Sequence, residues 1–384
     1  MRFHVLSLPH TQVTKEFNLC AYTEKVRKFC NMMTDRGHEV FLYAPGEKTD
    51  AKCAEHITTL TTEEQNEYFG SVDWKKDFFP IVWDVNLNYW QITNARAIAG
   101  IAKRKQKKDI ICVIAGVCQK PVADAFKDVL NVEFGIGYEG VFSNNKVFES
   151  YAHMHFVYGL IGKRDGIWFD SVIPNYFDPD DFEFREKKDN YYLYIGRLVR
   201  RKGVEIASDV CKKIGAKLKI AGQGVIEYIP GKKLVTKEFT LEGDHFEYVG
   251  TVGIKERSDL MSRAKAVFLP TYYLEPFGGT SIEPLFCGTP TITTDWGAFS
   301  ENIIHGKVGF RARTIGEFLW AAQNVDKLNA KKIRKYAIDN FGIKRVGEMY
   351  EAYFIQVLSL WEENGFYSES NTGVSELNRY KKYI

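Results

Sequence analysis

At 384 residues the chain is longer than one ordinary domain, and roughly 150 residues per domain suggests two or three. Its 45% hydrophobic and 26% charged residues are globular proportions, which exclude a mainly disordered chain, a collagen-like chain and a coiled-coil rod. The 52 Lys and Arg against 49 Asp and Glu leave +3, so no global charge demands a polyanionic partner.

Short apolar strands alternate with helix-like stretches from the start. Phe3–Leu8 reads as a first strand. Apolar positions then recur at helical spacing over 17–36, and Gly37 can close that helix in a left-handed conformation. Val40–Tyr43 is a second strand. Residues 46–90 are aromatic and irregular, with no period that assigns elements. A helix over Asn94–Lys103, a strand over Asp109–Ile114, a short strand at Val132–Phe134 and a helix over Lys146–Tyr158 follow. After Val172-Ile173-Pro174-Asn175-Tyr176 a second series begins. Its strands are Tyr191–Ile195, Lys217–Ala221, His245–Val249, Ala266–Leu269 and Thr291–Thr294, and its helices span 203–214, 254–264, 281–287, 315–324 and 330–340. Residues 344–363 form one long amphipathic helix before a polar tail that includes Arg379-Tyr380-Lys381-Lys382-Tyr383. Two such series imply two Rossmann-like domains, and open parallel sheets bind ligands beyond the carboxyl ends of their strands.

The seven cysteines are odd in number, scattered and without a CxxC pair, so neither a disulfide framework nor a zinc site is suggested. No basic start with a long apolar stretch opens the sequence, and the longest apolar run, Ile110–Cys118, is about half a bilayer span. A cytoplasmic, reducing environment is the expectation.

The most informative stretch runs from Pro270 through Glu275-Pro276-Phe277-Gly278-Gly279-Thr280-Ser281-Ile282-Glu283 to Gly288-Thr289-Pro290. It leaves a strand, makes a glycine-rich turn and enters a helix, whose N-terminus presents unpaired amides and a positive dipole end to an anion. Glu275 and Glu283, eight positions apart, would flank that anion site, and a carboxylate accepts two hydroxyl hydrogen bonds from a sugar diol. In Gly196-Arg197-Leu198-Val199-Arg200-Arg201-Lys202-Gly203, Arg197 follows a strand end and Lys202 begins a helix. Together they can neutralise a diphosphate leaving group, though a basic strand-to-helix loop alone is commonly a solvated turn.

With Ile173-Pro174-Asn175, Ala221-Gly222-Gln223-Gly224 and Trp296-Gly297-Ala298-Phe299-Ser300-Glu301 before Gly306 and Gly309, this order resembles the retaining GT-B glycosyltransferases of family 4 over about 173–310. The resemblance implies an α/β GT-B architecture of two Rossmann-like domains facing across a cleft. Residues 1–174 would be the acceptor-side domain, 175–345 the nucleotide-sugar donor domain, and 346–384 a helix and tail returning to the N-terminal domain. It implies Arg197 and Lys202 on the donor diphosphate and Glu275 on the transferred sugar. The amides of Phe277, Gly278, Gly279 and Thr280 would lie beside it, with Glu283 on the ribose and Gly250-Thr251-Val252 against the base. The partners implied are a nucleotide-sugar donor and a hydroxyl acceptor such as a glycan, a lipid-linked sugar or a polysaccharide, with no metal and no cofactor. A nucleotide-sugar epimerase on the same fold, and a transferase acting on modified bases in DNA, are the alternatives.

The first domain departs from the family pattern. Pro9-His10-Thr11-Gln12-Val13-Thr14 stands where two glycines are usual, and Phe134-Gly135-Ile136-Gly137-Tyr138-Glu139-Gly140 where a histidine is common. His10, Thr11, Tyr138, Glu139 and His155 are the acceptor-side candidates. His153 and His155, two apart, point to different helix faces. Asp178-Pro179-Asp180-Asp181 contains a DxD pattern, read here as a linker turn and not as a metal site. Lys103–Lys108 reads as a solvated helix end, with a membrane surface or nucleic acid as its alternative partner.

Overall fold

The computed structural model describes residues 1–70, 73, 78, 80–361 and 363–369. In the N-terminal half the chain runs β1 (Arg2–Leu6), α1 (Ala21–Asp35), β2 (Glu39–Ala44), β3 (Glu55–Thr58), α2 (Thr62–Phe69), α3 (Asn88–Ala102), β4 (Ile110–Val113), α4 (Lys120–Ala125), β5 (Leu130–Ile136), β6 (Lys146–Phe148), α5 (Tyr151–Leu160) and β7 (Ser171–Val172). Among the described residues these strands form a seven-stranded parallel sheet, ordered β3-β2-β1-β4-β5-β6-β7. Unbroken burial along β4 explains its apolar run, because helices cover both faces of a parallel sheet.

The C-terminal half continues with β8 (Tyr191–Ile195), α6 (Val204–Lys213), β9 (Lys217–Ala221), β10 (Val225–Ile229), β11 (Lys233–Thr236), β12 (Thr240–Glu242), β13 (Phe246–Tyr248), α7 (Ile254–Arg263), β14 (Val267–Leu269), α8 (Gly279–Phe286), β15 (Thr291–Thr294), α9 (Phe299–Asn302), β16 (Gly309–Ala312), α10 (Ile315–Asn324), α11 (Ala330–Phe341) and α12 (Ile343–Trp361). A six-stranded parallel sheet has the order β13-β9-β8-β14-β15-β16, so its direction of winding reverses between β8 and β14. The strands β10, β11 and β12 form a separate antiparallel meander inserted after β9.

The domains meet where their cores change hands. Tyr176 packs in the N-terminal core and its neighbour Phe177 in the C-terminal one. The long helix α12 leaves the C-terminal domain and places Val346, Met349, Tyr350, Phe354 and Val357 in the core of the N-terminal domain. The two chain crossings bond to each other: the Phe177 amide donates to the Phe341 carbonyl (2.9 Å) and the Ile343 amide to the Phe177 carbonyl (2.8 Å).

Three expectations are corrected. Lys146–Tyr158 is not one helix: Val147 and Phe148 are buried in β6, and Ser150 caps α5 by accepting the His153 amide (3.0 Å). The irregular stretch 46–90 contains β3 and α2, the latter opened by a capping box between Thr61 and Glu64. The meander over 225–242 had no counterpart in the alternation read from sequence. Asp178 does form a turn, its carboxylate accepting the Asp180 amide (3.0 Å). In the basic run 103–108, Arg104 is paired with Glu55 and Lys105 with Asp128, which ties down two cations offered to a membrane or nucleic acid. The terminal Arg379–Tyr383 lies outside the described residues. Among the described residues, no helix is long and apolar enough to cross a membrane.

Candidate active site

Five loops of the C-terminal domain leave the carboxyl ends of β8, β9, β13, β14 and β15, around the reversal between β8 and β14. Ligand crevices form there because loops on either side of the reversal part to opposite faces of the sheet. Backbone bonds fix three of these loops to one another. The Gly196 amide donates to the Ala221 carbonyl (3.1 Å), Gly222 to Gly250 (2.9 Å), and Leu198 to Gln223 (2.8 Å). A side chain at Gly222 would start 1.9 Å from the Gly196 carbonyl oxygen, so glycine is required for this approach.

The loop after β8 carries Lys202 back to the loop after β14, where its ammonium pairs with the Glu275 carboxylate. Gly203 makes this possible. Its φ of +75° turns the chain into α6, and its bare Cα lies against Pro270, where a Cβ would be 2.0 Å from the carbonyl oxygen. The Arg201 carbonyl accepts both the Tyr272 amide (2.8 Å) and the Thr271 hydroxyl (2.9 Å), which locks the two loops together. Burial pushes the Lys202 ammonium below its ordinary pKa, while Glu275 opposes that shift.

Beyond Glu275 the chain turns through Gly278, φ +73°, into α8. Phe277 is buried among the core aromatics, so only its backbone can serve a ligand; Gly278, Gly279 and Thr280 are partly exposed. Glu283, on the first turns of α8, is met by Arg257 of α7 at 3.3 Å. No local spacing links these two residues. Gly250, Thr251 and Val252 are partly exposed in the loop after β13. Arg197 is exposed, with its guanidinium 5.5 Å from the Phe78 ring of the N-terminal domain. Thus Lys202 and Glu275 touch, Glu283 has its own cation, and Arg197 reaches towards the opposite domain.

The acceptor-side candidates fare unevenly. Thr11 is fully buried with its hydroxyl against Thr23, so it presents nothing to a substrate. His10 is buried beside Cys20 (3.7 Å), and burial pushes its pKa down to about 3, which keeps it neutral. Tyr138 turns its hydroxyl inward to Glu133 (3.2 Å). His155 lies on the solvent side of α5, whereas His153 is buried with Nε2 at 3.0 Å from the Tyr138 carbonyl. Thr11, His10 and the Tyr138 hydroxyl are thus turned to packing partners, whereas His155 stays exposed. Glu139 is exposed in the loop after β5.

Sequence reasoning missed the N-terminal wall nearest the reacting groups. Lys25 of α1 is buried, donates to the Gly135 carbonyl (2.7 Å) and pairs with Glu149. Tyr22 donates to the Gly137 carbonyl (2.8 Å). A side chain on Gly137 would begin 2.9 Å from the Glu149 carboxylate and 3.3 Å from Pro276 Cβ. Glu149 and Pro276 thus close the space beside Gly137. Lys25 and Glu149 are 124 positions apart, and no local spacing could have joined them.

Among the described residues, no group of three or more His, Cys, Asp or Glu side chains is set to hold a metal ion. Residues 177–337 match the family model of the glycosyl transferases group 1. The chain is 34% identical over 123 residues to a glycogen synthase of Mycobacterium tuberculosis, a match covering 30% of this chain and 28% of that protein. It is 29% identical over 225 residues to the capsular polysaccharide biosynthesis glycosyltransferase CapM of Staphylococcus aureus, covering 54% and 55%. The chain thus spans at most about half the length of these relatives. In structure it is similar to a glycosyltransferase involved in avilamycin A biosynthesis (TM-score 0.64, 15% identity, 94% and 98% covered). It is also similar to Anabaena HepE in complex with UDP and glucose (TM-score 0.60, 13% identity, 93% and 100% covered). These likenesses fix the two-domain α/β GT-B fold.

Proposed function

We infer that this chain, whose residues 177–337 match the glycosyl transferases group 1, moves a sugar from a nucleotide-sugar donor to an acceptor hydroxyl. The observation that carries the reading is the Lys202–Glu275 pair, held at the sheet's reversal beside the first turn of α8. The bond from the anomeric carbon to the leaving phosphate oxygen breaks, and one from the acceptor oxygen forms on the same face. The acceptor proton passes to the leaving phosphate. Negative charge grows on the diphosphate, and Lys202 with Arg197 supplies the fixed positive charge that meets it. When the donor enters, Lys202 exchanges its carboxylate partner for phosphate, and Glu275 is released to the hydroxyls of the transferred sugar. Glu283, steadied by Arg257, takes the ribose. These cations suffice for the leaving group without a metal ion.

The GT-B relative solved with UDP and glucose favours a nucleoside diphosphate sugar as donor. The test is incubation of the full chain with UDP-, GDP- and ADP-sugars and a panel of sugar acceptors. The expected result is acceptor-dependent release of nucleoside diphosphate with the anomeric configuration retained by NMR. Epimerised donor formed without acceptor, or inversion at the anomeric carbon, would overturn the reading.

A further inference from the structure

We propose that the cavity lined by Arg197, Arg200, Arg201, Glu238 and Tyr272 is an acceptor subsite for an anionic group, so that the acceptor is a negatively charged saccharide. The inference rests on the sugar-transfer reading above and narrows its acceptor class. The cavity has a volume of about 530 Å³, within the range of small-molecule sites. Three guanidinium groups and one carboxylate line it, a local excess of positive charge in a nearly neutral chain.

The carboxylate is already committed. Glu238 accepts the Arg200 amide (2.6 Å), and its carbonyl accepts the Arg200 guanidinium (2.6 Å). Arg200 also has Glu205 at 3.3 Å. Arg201, by contrast, meets no carboxylate at ion-pair distance among the described residues, and its guanidinium lies over the Tyr273 ring at 4.7 Å. A guanidinium stacked on an aromatic face keeps its in-plane N–H edge available, and that fork matches a carboxylate or phosphate. Arg197 is placed alike, against Phe78. The structure thus holds, at this cavity, an exposed Arg201 fork on an aromatic support with no carboxylate at ion-pair distance among the described residues.

The cavity adjoins the proposed diphosphate site and shares Arg197 with it, so the acceptor assignment rests on Arg200 and Arg201. Lys202, the next residue, points inward to Glu275 and shares the Tyr273 ring from 4.9 Å; Arg200 and Arg201 stand outside it, exposed. Tyr272, 55% exposed, adds a flat face on which a sugar ring can rest. The outer wall comes from the meander. Thr236 fixes the turn carrying Glu238 by accepting the amides of Glu238 (3.2 Å) and Phe239 (3.0 Å). An insertion in the βα alternation therefore closes a basic pocket a few residues from the reacting pair.

The test is a titration of the full chain, with and without saturating UDP, using glucose 6-phosphate, glucuronic acid and glucose, followed by calorimetry and saturation-transfer NMR. At least tenfold tighter binding of the two anionic sugars than of glucose is expected. Arg201→Gln and Arg200→Gln should bring the anionic sugars to the glucose level while UDP affinity stays within twofold. Equal binding of all three sugars, or unchanged binding by the variants, would overturn the proposal. So would inorganic phosphate binding as tightly as glucose 6-phosphate, which marks a bare ion site, or loss of UDP along with the anionic sugars, which assigns the arginines to the donor. UDP binding by the unaltered chain is read separately: its absence counts against a uridine donor, and the sugar titration without UDP still decides the subsite.

Discussion

Lys202 and Glu275, 73 positions apart, are paired head to head across the loops that follow β8 and β14. Each is the other's counter-ion, and in the proposed reaction a diphosphate would replace one partner and a sugar the other. Glu275→Gln keeps the shape and removes the charge. We expect turnover to fall about 10²–10³-fold, roughly 3–4 kcal/mol, with the melting temperature nearly unchanged. Steady-state kinetics with circular dichroism melting checks this; near-normal turnover would refute the role.

The same pair sets an alkaline limit. Burial holds the Lys202 pKa below that of an ordinary lysine in the free protein. Loss of its proton removes the charge that meets the leaving group, so kcat/KM for donor should fall as pH rises through that lowered pKa. Lys202→Arg should shift the limb upward even where the rate itself is reduced. A limb that ignores the substitution belongs to another group.

Gly203 and Gly250 have similar backbone angles, φ +75° and +85°, and opposite surroundings. A methyl on Gly203 meets the Pro270 carbonyl, whereas one on Gly250 meets no heavy atom within 4 Å. Gly203→Ala should cost about 3 kcal/mol and separate Lys202 from Glu275, and Gly250→Ala about 1 kcal/mol. Chemical denaturation of both variants gives the comparison, and equal losses would contradict it.

Lys188 is a half-buried ammonium with three neutral acceptors: the carbonyls of Ser262 (2.9 Å) and Cys287 (3.1 Å) and the Thr289 hydroxyl (2.7 Å). Burial pushes its pKa down to about 8 from the ordinary 10.5. Between those values the unfolded chain holds the proton that the folded one has released. Unfolding free energy therefore rises with pH over this window, and below it Lys188 adds no slope. Subtracting the denaturation curve of Lys188→Met from that of the unaltered chain isolates the effect; a flat difference from pH 8 to 10 would refute it.

Glu301 of α9 spans the domains, accepting the amides of Tyr151 (3.0 Å) and Ala152 (2.6 Å) at the start of α5. A carboxylate on a helix N-terminus contributes about 1 kcal/mol. Glu301→Ala should shift the population towards parted domains, read as a larger radius of gyration in small-angle scattering. An unchanged radius would show that other contacts hold the domains.

The fold was legible where burial has a period. Tyr191–Ile195 lies where its apolar run placed it, because central parallel strands are apolar on both faces, and Thr291–Thr294, three β-branched threonines around Ile292, lies where it was read. The meander was not legible: Val225–Glu242 mixes exposed and buried positions with charges and forms its pairs locally. At the site, Glu275 and Lys202 were found because strand-end loops carry a recognisable order of glycines and charges. Arg257, Lys25 and Glu149 were not, since their partners are set by packing between elements and leave no trace in local spacing.

The bonded crossings at Phe177 and Ile343 gather both passages of the chain between the domains into one place. A relative movement that keeps both bonds has its pivot there, so residues beside the crossings would shift less than loops far from them.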